Sequence, residues 1–317
     1  MAVTLEQAKL NVQDDLQLGV IDEFRKSTWL FDNLIFDDVV SATGGGATLT
    51  YAYTRLKTQP TAGFRNVNEE YATSEVEKQR FTADLKIFGG GFKVDRVIAN
   101  MGGIADEVAL QMAQKIKAAG ALFNDTVING DSAVDSKSFD GLEKALKGSS
   151  TEYKPAAAID LSTSEAVTKN FQAFLDALDE FLMTLDGKPS FIGGNTKLIA
   201  KLRACARRAG MYQVTKDSFG NQVESYGVIP FVDFGSKPGT NDDVVKTETT
   251  GETSLYAARI GLDGFHGISM AGQPPVKTWL PDFETAGAVK EGEVEMIAAV
   301  ALKATKAAGV MRKIKVK

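Results

Sequence analysis

GGGATLTYAYTRLKTQPTAGFRNVNEEYATSEVEKQRFTADLKIFGGG, residues 44–91, is bounded by triple glycines at both ends. Between its two triple glycines the chain reads as one long β-hairpin. Leu49, Tyr51 and Tyr53 alternate with Thr48, Thr50 and Thr54 on the way out. Phe81, Ala83, Leu85 and Ile87 alternate with Arg80, Thr82, Asp84 and Lys86 on the way back. Aromatic and β-branched residues at period two suit half-buried strands. The tip, 58–74, carries the turn formers Pro60, Gly63, Asn66 and Asn68. A two-stranded hairpin of this length is not stable alone. It is expected to lie on something, and a protruding arm implies a neighbouring subunit.

The glycines allow two readings. A glycine-rich loop cradles phosphate when it follows a strand and opens a helix. Gly44, Gly45 and Gly46 lead into a strand instead, and Gly89, Gly90 and Gly91 sit between two strand-like runs. Bends or hinges at the two roots of the hairpin are therefore expected.

Around the hairpin the pattern is mostly helical at first. Leu16, Val20 and Phe24, with Ile21 beside them, form a narrow apolar stripe in an N-terminal arm. That stripe suits a helix laid on a partner surface, or equally one packed on its own core. Residues 29–40 read as a buried connector. Residues 103–128 read as a long helix, with Ile104, Val108, Met112 and Ile116 recurring at i+4 and Ala119, Phe123 and Val127 continuing the face. A second helix begins near Ser162, where Ser162 and Glu165 make a capping-box pattern. Its face is Val167, Phe171, Phe174, Leu175, Leu178, Leu182 and Leu185. Phe191-Ile192 reads as a strand, and Asn195 as the cap of a third helix that ends at Gly210. Phe231-Val232 and 255–259 read as strands, 236–252 as an exposed loop, and 294–316 as strands returning to the first domain. No linker separates the parts, which implies interlocked domains.

The composition limits the chemistry. The chain has 317 residues, 44% hydrophobic and 24% charged, with a net charge of -5. This is an ordinary globular balance, and it disfavours a dedicated nucleic-acid binder. Cys205 is the only cysteine and His266 the only histidine, which nearly excludes Cys/His zinc sites. No signal-peptide pattern and no membrane-length apolar run is present. His266 lies between glycines with no G-x-S-x-G in the chain, so a Ser/His/Asp site is not expected. Cys205 shares the apolar helix face with Leu198, Ile199 and Leu202, and reads as a buried, inert thiol. The adjacent pairs Asp14/Asp15, Asp37/Asp38, Glu69/Glu70 and Asp242/Asp243 point apart on any regular element and read as solvated surface. Lys197, Lys201, Arg203, Arg207 and Arg208 form the densest basic cluster. It suits a helix C-terminus, a neighbour's acidic surface or a phosphate backbone.

The order of these parts resembles the major capsid proteins of tailed bacteriophages, the Hong Kong 97-type fold. The string "ALFNDTVINGDSA" followed by "FDGLEKAL" is similar to the end of that family's spine helix and the loop after it. "SYGVIPFVDFG" is similar to the strand that in this family often carries a Gly-x-Pro pattern, and "SLYAARIGLDGFHGIS" to the strand and turn that follow it. The resemblance implies an α+β chain with an N-terminal arm and connector over 1–46. It implies an extended E-loop over 47–95, a P-domain with the spine helix over 96–150, and a mixed α/β A-domain over 151–285. C-terminal strands over 286–317 would then return to the P-domain.

What the resemblance implies for function follows from that layout. The chain would be no enzyme and would have no catalytic, cofactor or metal residues. It would self-assemble into hexamers and pentamers of an icosahedral shell, made in the host cytoplasm and found in the virion. It would enclose double-stranded DNA, contacted without sequence preference. A separate scaffolding protein, a portal and a decoration protein are the implied partners, and no membrane. Leu16, Val20, Phe24, Tyr51, Tyr53, Arg55, Lys57, Phe64, Arg80 and Phe81 are the expected inter-subunit contacts. Lys57 and Lys78 lie in the hairpin, but no acceptor can be placed, so no covalent crosslink is expected. Two other readings stand beside this one: an encapsulin-like compartment shell, and a soluble α/β enzyme with a phosphate pocket near the glycines.

Overall fold

The computed structural model describes residues 29–41, 48–100, 107–216 and 222–317. Leu16, Val20, Phe24 and Gly44–Gly46 lie outside the described residues.

The C-terminal run supplies the strand on which the first sheet is built, Val289–Leu302. Lys86–Asp95 pairs with it antiparallel from Val289↔Asp95 to Ala298↔Lys86. Its other edge takes Val276–Trp279 and then Phe265–Met270, both antiparallel. Phe36–Val40 closes that side, parallel to Phe265–Met270. The long helix Glu107–Asn129 packs on this sheet. At 1.5 Å per residue it is about 34 Å long. Met112, Ala119, Phe123 and Val127 form its buried seam, whereas Ile116 is exposed. The i+4 repeat explains the difference: each step advances the side chain by about 40°, so an unbroken i+4 series winds off the contact face.

The second sheet has eight strands. Its order is Glu152–Tyr153, Ala308–Lys315, Glu252–Ala258, Phe191–Gly194, Ile229–Asp233, Gln222–Tyr226 and Tyr212–Lys216, with Ile159–Asp160 also on Ala308–Lys315. Alternation gives its central strands two apolar faces. Ile192, Leu255, Ala257 and Met311 lie under the helices Ser164–Met183 and Thr196–Arg208. Phe191, Tyr256, Ala258 and Val310 face the core shared with the first sheet and the long helix.

Several expectations change here. The C-terminal strands do not both return to the first sheet. After the turn Thr305–Ala307, the strand Ala308–Lys315 crosses to pair with Glu252–Ala258. Conversely, Phe265–Met270 and Val276–Trp279, expected within the unit 151–285, belong to the first sheet. Period two identifies a strand but carries nothing about which sheet receives it. The cap of the second helix is Thr163, one residue beyond Ser162, with its hydroxyl accepting from the Ala166 N–H at 3.1 Å. The stretch 236–252 is not wholly exposed, because Val244 and Val245 are buried. Two asparagine amides hold it down: Asn129 donates to the Val244 carbonyl at 2.8 Å and Asn195 to the Val245 carbonyl at 3.1 Å. Asn195 also caps the third helix as expected, accepting from the Leu198 N–H at 2.9 Å.

An ion network ties the crossing strand down. Arg312 meets Glu152 at 2.5 Å and Glu143 at 2.8 Å, and Glu143 also accepts from the Tyr256 hydroxyl at 2.5 Å. Burial alone would raise the Glu152 pKa. Hydrogen bonds from Lys154, the Gly148 N–H and Arg312 outweigh it and hold the carboxyl at about 2.

The second triple glycine lies inside a strand. Gly89, Gly90 and Gly91 pair with Glu295, Val294 and Glu293. A Cβ on Gly89 would sit 1.9 Å from the Val294 carbonyl oxygen, so no side chain fits without shifting backbone. A Cβ on Gly90 would meet only the flexible Lys115 side chain, at 3.5 Å. Gly89→Ala is therefore expected to cost about 2 kcal/mol or more, and Gly90→Ala less than about 1 kcal/mol. Urea unfolding of the two variants measures both, and equal midpoints would contradict this packing.

Candidate assembly interface

The hairpin forms as expected, from Thr50–Leu56 and Lys78–Asp84 in register from Thr50↔Asp84 to Leu56↔Lys78. Leu85 separates it from the strand Lys86–Asp95. Leu85 is buried and its N–H donates to the Leu49 carbonyl at 2.8 Å. This one non-strand residue resets the alternation. Phe81, Ala83 and Leu85 face inward, but beyond it Phe88, Phe92 and Val94 do, and Ile87 is exposed. The return root of the hairpin is thus at Leu85, not at Gly89–Gly91. Those glycines are held in a ladder, which corrects their reading as a hinge between strands.

The inner face of the root is seated on the chain's own body. The Tyr51 hydroxyl donates to Asp37 at 2.7 Å. The Tyr53 hydroxyl donates to the Leu302 carbonyl at 3.0 Å. Arg55 Nε donates to the Lys303 carbonyl at 2.7 Å, and its other nitrogens reach Leu302 and Thr305. The Arg55 guanidinium lies 4.3 Å over the Phe81 ring, which stacks on Tyr53 at 5.8 Å. Beneath Tyr51, the His266 ring lies edge-on at 5.8 Å, fully buried on the strand Phe265–Met270. Lys303 stands 3.7 Å from Asp37 and 5.4 Å from the Tyr51 ring centre. Burial raises the Tyr51 pKa most, and the Asp37 hydrogen bond adds to it, so the phenol stays protonated as donor.

Tyr51, Tyr53, Arg55 and Phe81, expected at an inter-subunit contact, make these contacts within the chain. Their alternation reports a buried face and cannot say whose surface buries it. Asp37, expected to be solvated, anchors the seat instead. Sequence patterning missed both Asp37 and the carbonyls of Leu302 and Lys303, since backbone acceptors leave no mark on residue type.

Beyond the root the hairpin is bare. Every residue from 56 to 80 is exposed. Lys57 pairs with Glu77 across the strands at 3.1 Å, and Arg80 and Phe64 face solvent. Leu56, Phe64, Val67, Tyr71 and Val76 form an exposed apolar series along the tip. Arg65 lies over the Tyr71 ring at 5.1 Å, and Ser74 accepts from the Thr61 N–H at 3.0 Å, so the tip has internal order of its own. The five apolar side chains cannot be covered by the hairpin's own two strands.

The remaining candidates have local explanations. Cys205 is buried, and burial pushes its thiol up to about 11. Among the basic cluster, Arg203 pairs with Glu224, Lys201 donates to the Ser162 carbonyl at 2.7 Å and Arg208 to Ser164 at 3.1 Å. An open cavity of about 630 Å³ touches Gly89, but Asp125, Asp131 and Asp135 line it with Lys86 and Lys137. Those carboxylates oppose an anion, and Gly89 is in a strand rather than at a helix start. Among the described residues no three His, Cys, Asp or Glu side chains are grouped to hold a metal ion.

The seat makes a quantitative expectation. Arg55→Ala removes charge-assisted hydrogen bonds worth about 1.5–3 kcal/mol each. The amides of Thr50–Leu56 should then exchange at least about tenfold faster, while Lys57→Ala, which breaks only an exposed pair, should leave them unchanged. Exchange followed by mass spectrometry measures both, and equal effects would contradict the seat.

No family model and no curated protein matches the chain. Solved structures do. The holo-SrpI encapsulin complex from Synechococcus elongatus PCC 7942 matches with a TM-score of 0.65 at 17% identity, covering 100% of this chain and 98% of that one. Mycobacterium phage Bobi matches with a TM-score of 0.62 at 12% identity, covering 98% of both chains. The capsid of Myoviridae phage XM1 matches with a TM-score of 0.61 at 10% identity, covering 99% of both. Each match spans nearly the whole length of both chains: this chain has the Hong Kong 97-type capsid fold.

Proposed function

We propose that this chain is the major capsid protein of a tailed double-stranded DNA bacteriophage, the repeating subunit of its icosahedral head. The observation that carries the reading is the hairpin. Its root is fixed to its own body, and its tip leaves Leu56, Phe64, Val67, Tyr71 and Val76 exposed among the described residues. An arm so built reaches a second copy. Subunit interfaces that last are commonly large, about 2,000–5,000 Å² in total, and apolar. Full-length likeness to shells supports the same conclusion. Closed symmetry then covers every tip with a neighbour. In this reading hexamers and pentamers assemble in the host cytoplasm. A separate scaffolding protein and a portal serve assembly, and packaged DNA is held without sequence readout.

A second reading is an encapsulin-like compartment, favoured by the SrpI likeness over 100% of this chain. The two differ in contents, not in subunit design. Expression of the chain, size-exclusion chromatography and negative-stain microscopy test the shared claim. Megadalton particles or capsomers are expected. A stable monomer or dimer under assembly conditions would refute a shell role. DNA with a portal in native particles supports the phage head, and protein cargo without either supports the compartment. Phe64→Asp with Tyr71→Asp is expected to abolish particles while leaving the melting temperature within about 2 °C, because neither side chain packs on its own body.

A further inference from the structure

His266 has no role in the account so far, yet its position is unusual. It is the only histidine in the chain. Its exposure is 0%, and neither ring nitrogen makes a hydrogen bond of ordinary geometry. A buried polar ring without partners is costly, and a buried imidazolium without partners is costlier. The ring lies directly under Tyr51, the first seat residue of the hairpin root.

Four charged or titratable groups bear on it. Asp37, from the strand Phe36–Val40, is held by the Tyr51 hydroxyl and by Lys303. Tyr51 covers it from the hairpin. Lys303 approaches from the turn after Val289–Leu302. Asp263, from the preceding turn, is clamped by Arg259 at 2.8 Å. Burial lowers the His266 pKa most and Lys303 lowers it further, while Asp37, a backbone interaction at Gly264 and Asp263 oppose them without reversing the outcome.

We propose that the hairpin root is a proton-operated latch, in which charging His266 unseats Tyr51 and loosens the strand Thr50–Leu56 from its own body. Two routes lead there. In one, the Tyr51 ring lifts and lets water reach the imidazolium. Alternatively it draws Asp37 to itself, and Asp37 then leaves the Tyr51 hydroxyl. Either route removes the Tyr51 part of the seat, leaving Tyr53 and Arg55 as the remaining ties.

The sign follows from the lowered folded value. The seated state is favoured above the ordinary histidine pKa of about 6.5 and loses that advantage as pH falls through it. Between pH 7.5 and pH 5.5 ordinary carboxylates stay ionised, so the window belongs to His266.

This latch deepens the shell reading by naming a control on the arm, but it is testable on the chain alone. In the full-length wild type, hydrogen exchange at the imidazole C2 position reports the pKa and accessibility of the one histidine. Amide exchange over 50–56 reports seating. From pH 7.5 to 5.5, after removing the intrinsic rate change, root amides of the wild type should open at least about twofold more. In His266→Gln and His266→Leu the ratio should stay near one. Identical ratios in wild type and variants would overturn the latch. So would a C2 titration with ordinary midpoint and free exchange, which needs no variant to fold. Particles that form with a proton-insensitive root would sink the latch and leave the shell standing. A latch in a chain that never assembles would do the reverse.

Discussion

The strand Val289–Leu302 is the constraint on which the rest depends. Its edges are occupied by Lys86–Asp95 on one side and by Val276–Trp279 and Phe265–Met270 on the other. Where it ends, the carbonyls of Leu302 and Lys303 accept Tyr53 and Arg55 from the hairpin. The same turn then sends Ala308–Lys315 into the second sheet. A backbone that satisfies its polar groups so fully leaves little freedom. The hairpin is therefore aimed from a rigid base, and the two sheets close on one apolar core.

That arrangement separates two jobs along one hairpin. The root stabilises direction, through hydrogen bonds and stacked rings made within the chain. In the proposed shell the tip would supply contact area, through apolar side chains that stand exposed on the described chain. A subunit that must meet copies of itself needs both. A floppy arm would lose ordering entropy at every contact, whereas a rigid root has lost most of it on folding. Placing a neutral histidine under the root adds a point at which the direction can be released.

Much of the fold was legible in the sequence because its signals are local. Period-two runs marked the hairpin, Asn195 marked a helix start, and Phe123 with Val127 marked the buried seam of the long helix. What escaped notice depends on distant partners. Period two made Tyr51 and Tyr53 inward-facing residues, but only the tertiary structure shows that their cover is Leu302 and His266 of the same chain. Leu85 breaks the alternation without a glycine or proline to announce it. The glycines at 89–91 suggested freedom, whereas Gly89 answers to the Val294 carbonyl across the ladder. Likewise the last strands were readable as strands, but their division between two sheets was not, since alternation does not name the partner strand.

In an assembled shell the root should be seated within its own chain while the tip is buried by another copy. Electron cryomicroscopy of particles assembled from the purified chain measures both. Tyr53 and Arg55 are expected on Leu302 and Lys303 of the same copy, with Phe64, Val67 and Tyr71 covered by a neighbour. A tip left in solvent, or a root seated on the neighbour instead, would contradict it.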